Sequence, residues 1–400
     1  MDSTKLKLVF IHQDGDITGS AISLAMMIRS LNSYGHNIIV IIPKHGQAIS
    51  IWQKEGASVY IHPFTTFWTS PGPRCVSRGF IRQLKAIIPN IKLRNFILSL
   101  EPDLIHINDK AAFNAGISLK YSRKPIIQHS RSAYQLTACR LNAIISAYSI
   151  RSYAKHIICI SEDEMQGFEE IKNKSILYNT VDIELAKKAR KERDILRSEL
   201  GIKPDDIVIG MAETFNINKG LKEIIQVAKY CLEKHNKKVK FLLVGSMSSS
   251  DNIGAKKIST KKYISEFIQV NNYASNFILT GFKSDVLRYI AAMDIIIVAK
   301  AHGVVGRQPI EAQACGTAVI GLNGHSKKST VVSNGIGGYL LNSCVEICEK
   351  LDELIENPAT LRHLQMNGPL YASKHFNPSM YSNSLLQIYN NYLPPKNQKY

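Results

Sequence analysis

Four hundred residues, 45% of them hydrophobic and 20% charged, exceed what one core can organise and are too apolar for disorder, so two domains of ordinary size are expected. The formal charge of +18 draws anionic partners, among which nucleic acid, an anionic membrane surface and phosphorylated small molecules are the classes to weigh. Seven cysteines, at 75, 139, 159, 231, 315, 344 and 348, contain no CxxC pair and read as packing residues of a reduced, cytosolic chain.

The apolar stretch Leu6–Ile11 stops at His12-Gln13-Asp14, too short for a signal-peptide core, and is expected as a first strand. No apolar run approaches the roughly 18 residues of a membrane-spanning helix. After that strand, HQDGDITGSAISLA sets glycines and hydroxyls ahead of a helix, with Thr18 or Ser20 as candidate N-cap. Asp14 and Asp16 form an Asp-x-Asp pair, which a turn after a strand explains without a metal. A helix over Ser20–Tyr34, the run NIIVII, a helical stretch Ile49–Glu55 and SVYIHP follow, and this alternation is the signature of a parallel sheet with crossover helices.

In SPGPRCVSRGFIRQLKAIIPNIKLRNFILSL, Arg74, Arg78, Arg82 and Lys85 recur at helical spacing beside Phe80, Ile81, Leu84, Ile87 and Ile88. Such a face suits an anionic membrane surface, and a solvated face on a core-packed helix is the competing reading. The strand runs DLIHI (103–107), PIIQHS (125–130), HIICIS (156–161) and SILYN (175–179) complete one doubly wound unit ending near residue 183. His129 and Arg131 stand at the end of one of these runs, His106 and Asn108 at the end of another.

The charged segment from Asp182 to Pro204 marks the passage into a second α/β domain, whose strands are DIVIGMA (206–212), KFLLVG (240–245), NFILTGF (276–282), DIIIVAK (294–300) and TAVIGL (317–322). Three parts are expected: 1–183, 184–377, and a terminal helix in 378–400 that caps either domain or crosses back to the first. Two open sheets of this kind bind ligands at the carboxyl ends of their strands, here along an interdomain cleft. The stretch from Ala301 to Ile320 follows a strand with a glycine loop and opens a helix near Gln308, with Pro309 tolerated in its first turn. A loop of this kind aims backbone N–H groups at an anion, and a diphosphate fits; Lys219 in ETFNINKGL and the forked guanidinium of Arg307 are candidate partners for it.

The order ILYNTVDIE, IGMAETFNINKGL, KFLLVGS, FILTGFKSDVLRYIAAMDIIIVAK, GRQPIEAQACGTAVIG and GIGGYLL resembles glycosyltransferase family 4, a large retaining family of the GT-B fold, from about residue 8 to 392. The resemblance implies two Rossmann-like domains, the second binding a nucleotide-diphosphate sugar. Lys219 then meets the donor diphosphate, Glu311 the donor ribose, and His129 the transferred sugar or the acceptor. Gly19-Ser20-Ala21 matches the family's Gly-Gly-Ala loop. Donor-binding candidates are Gly19, Ser20, Thr214, Asn216, Lys219, Phe282, Gly303, Val305, Gly306, Arg307 and Glu311.

Two positions depart from the family pattern: Gly303 stands where its first signature acid belongs, and Thr214 where an arginine is usual. The implied reaction is transfer with retention of anomeric configuration to a glycan or lipid-linked acceptor, in bacterial surface polysaccharide or lipopolysaccharide synthesis, with no cofactor and no metal. The expected location is cytoplasmic, peripheral on the inner face of the cell membrane through the Arg74–Lys85 segment. An eroded sugar-nucleotide-binding subunit and a nucleotide-sugar epimerase of similar fold are the alternatives. Nucleic-acid binding is not expected, because the aromatics lie inside periodic apolar segments rather than among the basic residues.

Overall fold

A computed structural model describes residues 5–66, 75–132, 140–165, 167–216, 219–235, 238–247, 251–253, 256–299, 306–323 and 330–394. The chain forms two compact units, residues 1–180 with 378–400, and residues 181–377.

In the first unit the elements are β1 (Lys7–His12), α1 (Gly19–Ser33), β2 (Asn37–Ile42), α2 (Ala48–Lys54), β3 (Ser58–Ile61), α3 (Cys75–Ser99), β4 (Leu104–Asn108), α4 (Phe113–Leu119), β5 (Ile126–Ser130), α5 (Arg140–Tyr153), β6 (His156–Cys159), β7 (Lys174–Ile176) and, from the chain's end, α14 (Pro378–Asn390). The seven strands pair in parallel in the order β3-β2-β1-β4-β5-β6-β7. The strand order reverses between β1 and β4, the point at which such sheets open a crevice at their carboxyl edge.

Side chains alternate across the sheet, so the apolar runs feed two cores at once. Val9, Ile11, Ile105 and Ile107 pack with α3, α4 and α5, whereas Leu8, Phe10, Leu104 and Ile127 pack with α1, α2 and α14. Tyr381, Leu385 and Tyr389 of α14 are buried in that second core, so the last helix of the chain is a structural part of the first unit.

The second unit comprises α6 (Ile183–Lys191), α7 (Arg193–Glu199), β8 (Ile207–Ala212), α8 (Leu221–His235), β9 (Val239–Val244), β10 (Asp251–Ile253), β11 (Lys256–Ile258), α9 (Thr260–Val270), β12 (Phe277–Gly281), α10 (Val286–Ala292), β13 (Ile295–Val298), α11 (Gln308–Ala314), β14 (Ala318–Leu322), β15 (Gly338–Leu341), α12 (Cys344–Glu356) and α13 (Pro358–His375). Six strands pair in parallel in the order β12-β9-β8-β13-β14-β15, and β10 and β11 form a separate antiparallel pair.

The charged stretch after Asp182 is helical and belongs to this unit. Asp182 caps α6 by accepting from the Leu185 N–H at 3.0 Å. Arg193 and Arg197 hold the carboxylate of Asp294 at 2.6 and 3.1 Å, and Asp294 also accepts from the Val208 N–H at 2.8 Å. Those charges therefore fasten α7 to the amino ends of β8 and β13 instead of forming a solvated linker.

Candidate active site

The first unit's carboxyl edge is a row of buried polar side chains. Strand register sets His12, Asn108 and His129 abreast on β1, β4 and β5, and all three are fully buried. Their parity places them with Phe10 and His106 on the face covered by α14. The His12 Nδ1–H donates to the Asn108 carbonyl at 2.6 Å, and burial pushes the His12 pKa down to about 4, against that hydrogen bond. Arg131, the residue after β5, donates from Nε to Asn108 Oδ1 at 2.5 Å and from Nη1 to Asn179 Oδ1 at 2.8 Å.

Its Nη2 lies 3.4 Å from His129 Nδ1, which also faces His106 Nε2 at 3.2 Å. Burial first, and then the charge of Arg131, hold His106 and His129 well below the ordinary histidine range, so both rings are neutral. Asp109 locks the neighbouring loops, accepting from the Arg131 N–H at 2.8 Å and from the Ser132 hydroxyl at 2.8 Å. On the adjoining loop, Thr18 caps α1 and Ser20 bonds its hydroxyl at 2.9 Å, with Gly19 and Ser20 forming the helix's first turn. Asp14 accepts from the Asp16 N–H at 3.1 Å, which is turn geometry.

The second unit's edge is built from ion pairs. Glu213, straight after β8, lies 3.4 Å from Lys219 Nζ, with the lysine side chain 39% exposed and the glutamate 17%. Lys219 sits where it does because Gly220 has φ +86° and approaches β13 so closely that a Cβ there would stand 2.4 Å from the Ala299 carbonyl oxygen. Gly245, at φ +146°, likewise lets the loop after β9 press on Glu213. Three loops thus meet at one edge.

Arg307 stands just ahead of α11 and donates from Nε and Nη2 to Glu311 Oε1 at 2.9 and 2.7 Å, a pair only 16% and 10% exposed. Gln308 ties this helix to the end of β8 through the Ala212 carbonyl. Thr214 is exposed and within 3.4 Å of the Ser246 hydroxyl. Phe282, one residue past β12, is 64% exposed, and the preceding Gly281 accepts from the Gly245 N–H at 2.9 Å.

Of the residues singled out in the sequence, Thr214, Asn216, Lys219, Phe282, Gly306, Arg307 and Glu311 all lie at the carboxyl edge of the second sheet or on the helix that follows it. Gly19, Ser20 and His129 lie at the corresponding edge of the first. Gly303 and Val305 are outside the described residues. His129 is enclosed by protein, and its Nε2 has no hydrogen-bond partner among the described residues. Sequence reasoning missed Glu213, Asn179 and Tyr389. Glu213 had a readable signal, as the first acid beyond a strand's carboxyl end; the other two come from remote parts of the chain and had none.

Comparison with known proteins agrees with this architecture. Residues 17–185 match the family model described as Glycosyltransferase Family 4, and residues 192–370 the model described as Glycosyl transferases group 1. The capsular polysaccharide biosynthesis glycosyltransferase CapM of Staphylococcus aureus is 27% identical over 191 residues, 47% of this chain and 47% of CapM. The chain spans about half the length of the curated relatives it matches.

Among solved structures, Anabaena HepE in complex with UDP-glucose superposes with a TM-score of 0.76 at 19% identity, covering 96% of this chain and 100% of that one. WaaG, a glycosyltransferase involved in lipopolysaccharide biosynthesis, does so at 0.67 and 14%, covering 95% and 99%. At these identities the structural likenesses speak to the fold alone. With a parallel sheet of seven strands, another of six, and a family match on each, the chain belongs to the group 1/family 4 glycosyltransferases of the GT-B type.

Proposed function

We propose that the protein transfers a sugar, with retention of configuration, from a nucleoside-diphosphate sugar to a glycan or lipid-linked acceptor in the building of a bacterial surface polysaccharide. The observation that carries this reading is the edge of the second sheet, where Lys219 and Arg307 are each held by a carboxylate and only partly exposed. An ion pair of that kind can exchange its partner for a diphosphate. In a dehydrated site such a contact is worth several times its value in water.

In this reading Lys219 takes the diphosphate, Arg307 supplies the second cation that Thr214 does not, and Glu311, released from Arg307, accepts from the ribose hydroxyls. Phe282 offers an aromatic face to the base. As the bond from the anomeric carbon to the diphosphate breaks, the acceptor oxygen bonds to that carbon on the same face, and its proton passes to the departing phosphate. The chain's residues steady charge and align the substrates. The curated relative's name supports a capsule-type product, and HepE's complex supports a uridine nucleotide as the first donor to try.

In the first unit, His129 is the residue that the resemblance sets at the transferred sugar or the acceptor. Its Nε2 is covered in this conformation, so contact with a sugar requires the cover over it to open.

A membrane role rests on a different observation. Ile81, Leu84, Ile88 and Ile91 on α3, and Ile144, Ile145 and Tyr148 on α5, are exposed, with Lys85 and Lys92 exposed among them. Arg74 lies outside the described residues. Among the described residues no helix is long and apolar enough to cross a membrane. An apolar patch with lysines among it suits lying on an anionic bilayer.

Titration calorimetry with uridine, guanosine and adenosine diphosphates and their sugars tests the donor site. One nucleotide is expected to bind and to be weakened by both Lys219→Ala and Glu311→Ala. Binding without any transfer to lipid-linked acceptors would favour the eroded-subunit reading, and no binding at all would remove the donor site. Flotation with phosphatidylglycerol against phosphatidylcholine vesicles tests the patch, and Ile88→Asp with Leu84→Asp is expected to abolish capture.

A further inference from the structure

One contact in the first unit links the far end of the chain to His129. Tyr389, on α14, places its hydroxyl 2.6 Å from His106 Nδ1, and His106 Nε2 lies 3.2 Å from His129 Nδ1. All three side chains are fully buried. The direction of the hydrogen bonds follows from Arg131. A guanidinium only donates, so His129 Nδ1, 3.4 Å from Arg131 Nη2, carries a lone pair and no proton.

The hydrogen between the two rings therefore belongs to His106 Nε2. A neutral His106 then has a bare Nδ1, and the tyrosine hydroxyl must be its donor. The same logic places the proton of His129 on Nε2, the nitrogen left without a partner among the described residues. Neutrality of both rings agrees with their depressed pKa values.

We propose that Tyr389 is a positioning residue: acting through His106, it sets His129 in the Nε2–H tautomer, so that the first unit offers a sugar hydroxyl oxygen a neutral hydrogen-bond donor. The opposite tautomer would offer a lone pair and set a bare Nε2 of His106 against an N–H of His129 that Arg131 also faces. The consequence for transfer rests on the reading of His129 given above; the tautomer itself does not. Through this contact a helix that follows the second unit in sequence governs a hydrogen-bonding choice in the first.

The test is a two-bond ¹H–¹⁵N spectrum of the full chain labelled at histidine nitrogen, with His106→Gln and His129→Gln supplying assignments. Wild type is expected to show both rings protonated at Nε2. Tyr389→Phe should populate the second tautomer at His106 and lower kcat about tenfold, the scale of one hydrogen bond, with donor KM within about twofold.

Tyr34→Phe removes another hydrogen bond to α14, from the Tyr34 hydroxyl to Asn383 at 2.9 Å, and should change neither spectrum nor kcat. In His106→Gln the amide N–H replaces Nε2–H, so His129 keeps its tautomer and Tyr389→Phe becomes silent. A wild-type His129 protonated at Nδ1, or a Tyr389→Phe spectrum identical to wild type, overturns the relay. Should Tyr389→Phe not fold, the wild-type spectrum and the His106→Gln spectrum still decide it. Full transfer by His129→Ala would instead overturn the role of His129 and leave the tautomer result standing.

Discussion

The carboxyl edges of the two sheets use opposite electrostatic designs. In the first unit the polar row of His12, Asn108, His129 and Arg131 is buried and its histidines are neutral, with each group fixed by a named hydrogen bond. In the second, Lys219 with Glu213 and Arg307 with Glu311 are charged pairs that keep some exposure. A buried network of this kind is stiff, because a lost bond leaves a costly orphan. The Lys219–Glu213 pair is exposed enough to be weakly committed and to trade its carboxylate for a phosphate, whereas the mostly buried Arg307–Glu311 pair costs more to part. In the proposed reading one edge orients a neutral sugar and the other receives an anion.

The largest expected effect breaks the charged side. Lys219→Ala should lower kcat/KM by about 10²–10³-fold, the scale of one lost transition-state contact, with the far-ultraviolet spectrum unchanged; a loss under about threefold would take the diphosphate away from this lysine. Next, the neutral side should fail in acid. The folded pKa values of His12, His106 and His129 lie below the unfolded value near 6.5, so the unfolded chain binds the extra protons and stability falls as pH drops from about 6.5, for His12 down to about 4.

Glu164, whose pKa burial raises to about 7, opposes them over the same window. The three depressed histidines outnumber that one raised carboxyl, so among these four groups acid is destabilising near pH 5.5. Denaturant titrations across that range measure it, and His12→Gln should make the slope shallower.

Gly220→Ala should cost about 1–3 kcal/mol of stability for a left-handed backbone carrying a Cβ, and it should raise donor KM because Lys219 moves with that turn. Arg307→Lys, which keeps charge but cannot give two hydrogen bonds to one carboxylate oxygen, should weaken nucleotide binding about fivefold by calorimetry. The smallest effect is a gain: Thr214→Arg restores the usual cation at an exposed position and should tighten nucleotide binding by about threefold, with a stronger dependence on salt.

Much of the fold was legible because parallel strands buried on both faces read as near-continuous apolar runs. NIIVII became β2 at Asn37–Ile42, and DIVIGMA became β8 at Ile207–Ala212. Pairing less dependent on apolar composition was not legible: the β10–β11 pair in DNIGAKKI was missed, and of SILYN only Ser175 and Ile176 fall in a strand, β7. Residues of the second edge were readable because each stands in a loop after a strand or on the helix that follows it, where the chain's own order places it. The enclosure of His129 is not legible from its neighbours, because α14, which covers that face, lies far along the chain.

By itself, then, the sequence determined two doubly wound sheets and which residues stand at their carboxyl edges, because period and loop position are local properties of the chain. Only the tertiary structure decided how those residues are paired and covered. Tyr389 reaches His106 across 283 positions, and Asn179 reaches Arg131 across 48. Hydrogen bonds act over about 3 Å whatever the separation along the chain, so the charge, tautomer and exposure of each site group are fixed by which elements fold against it.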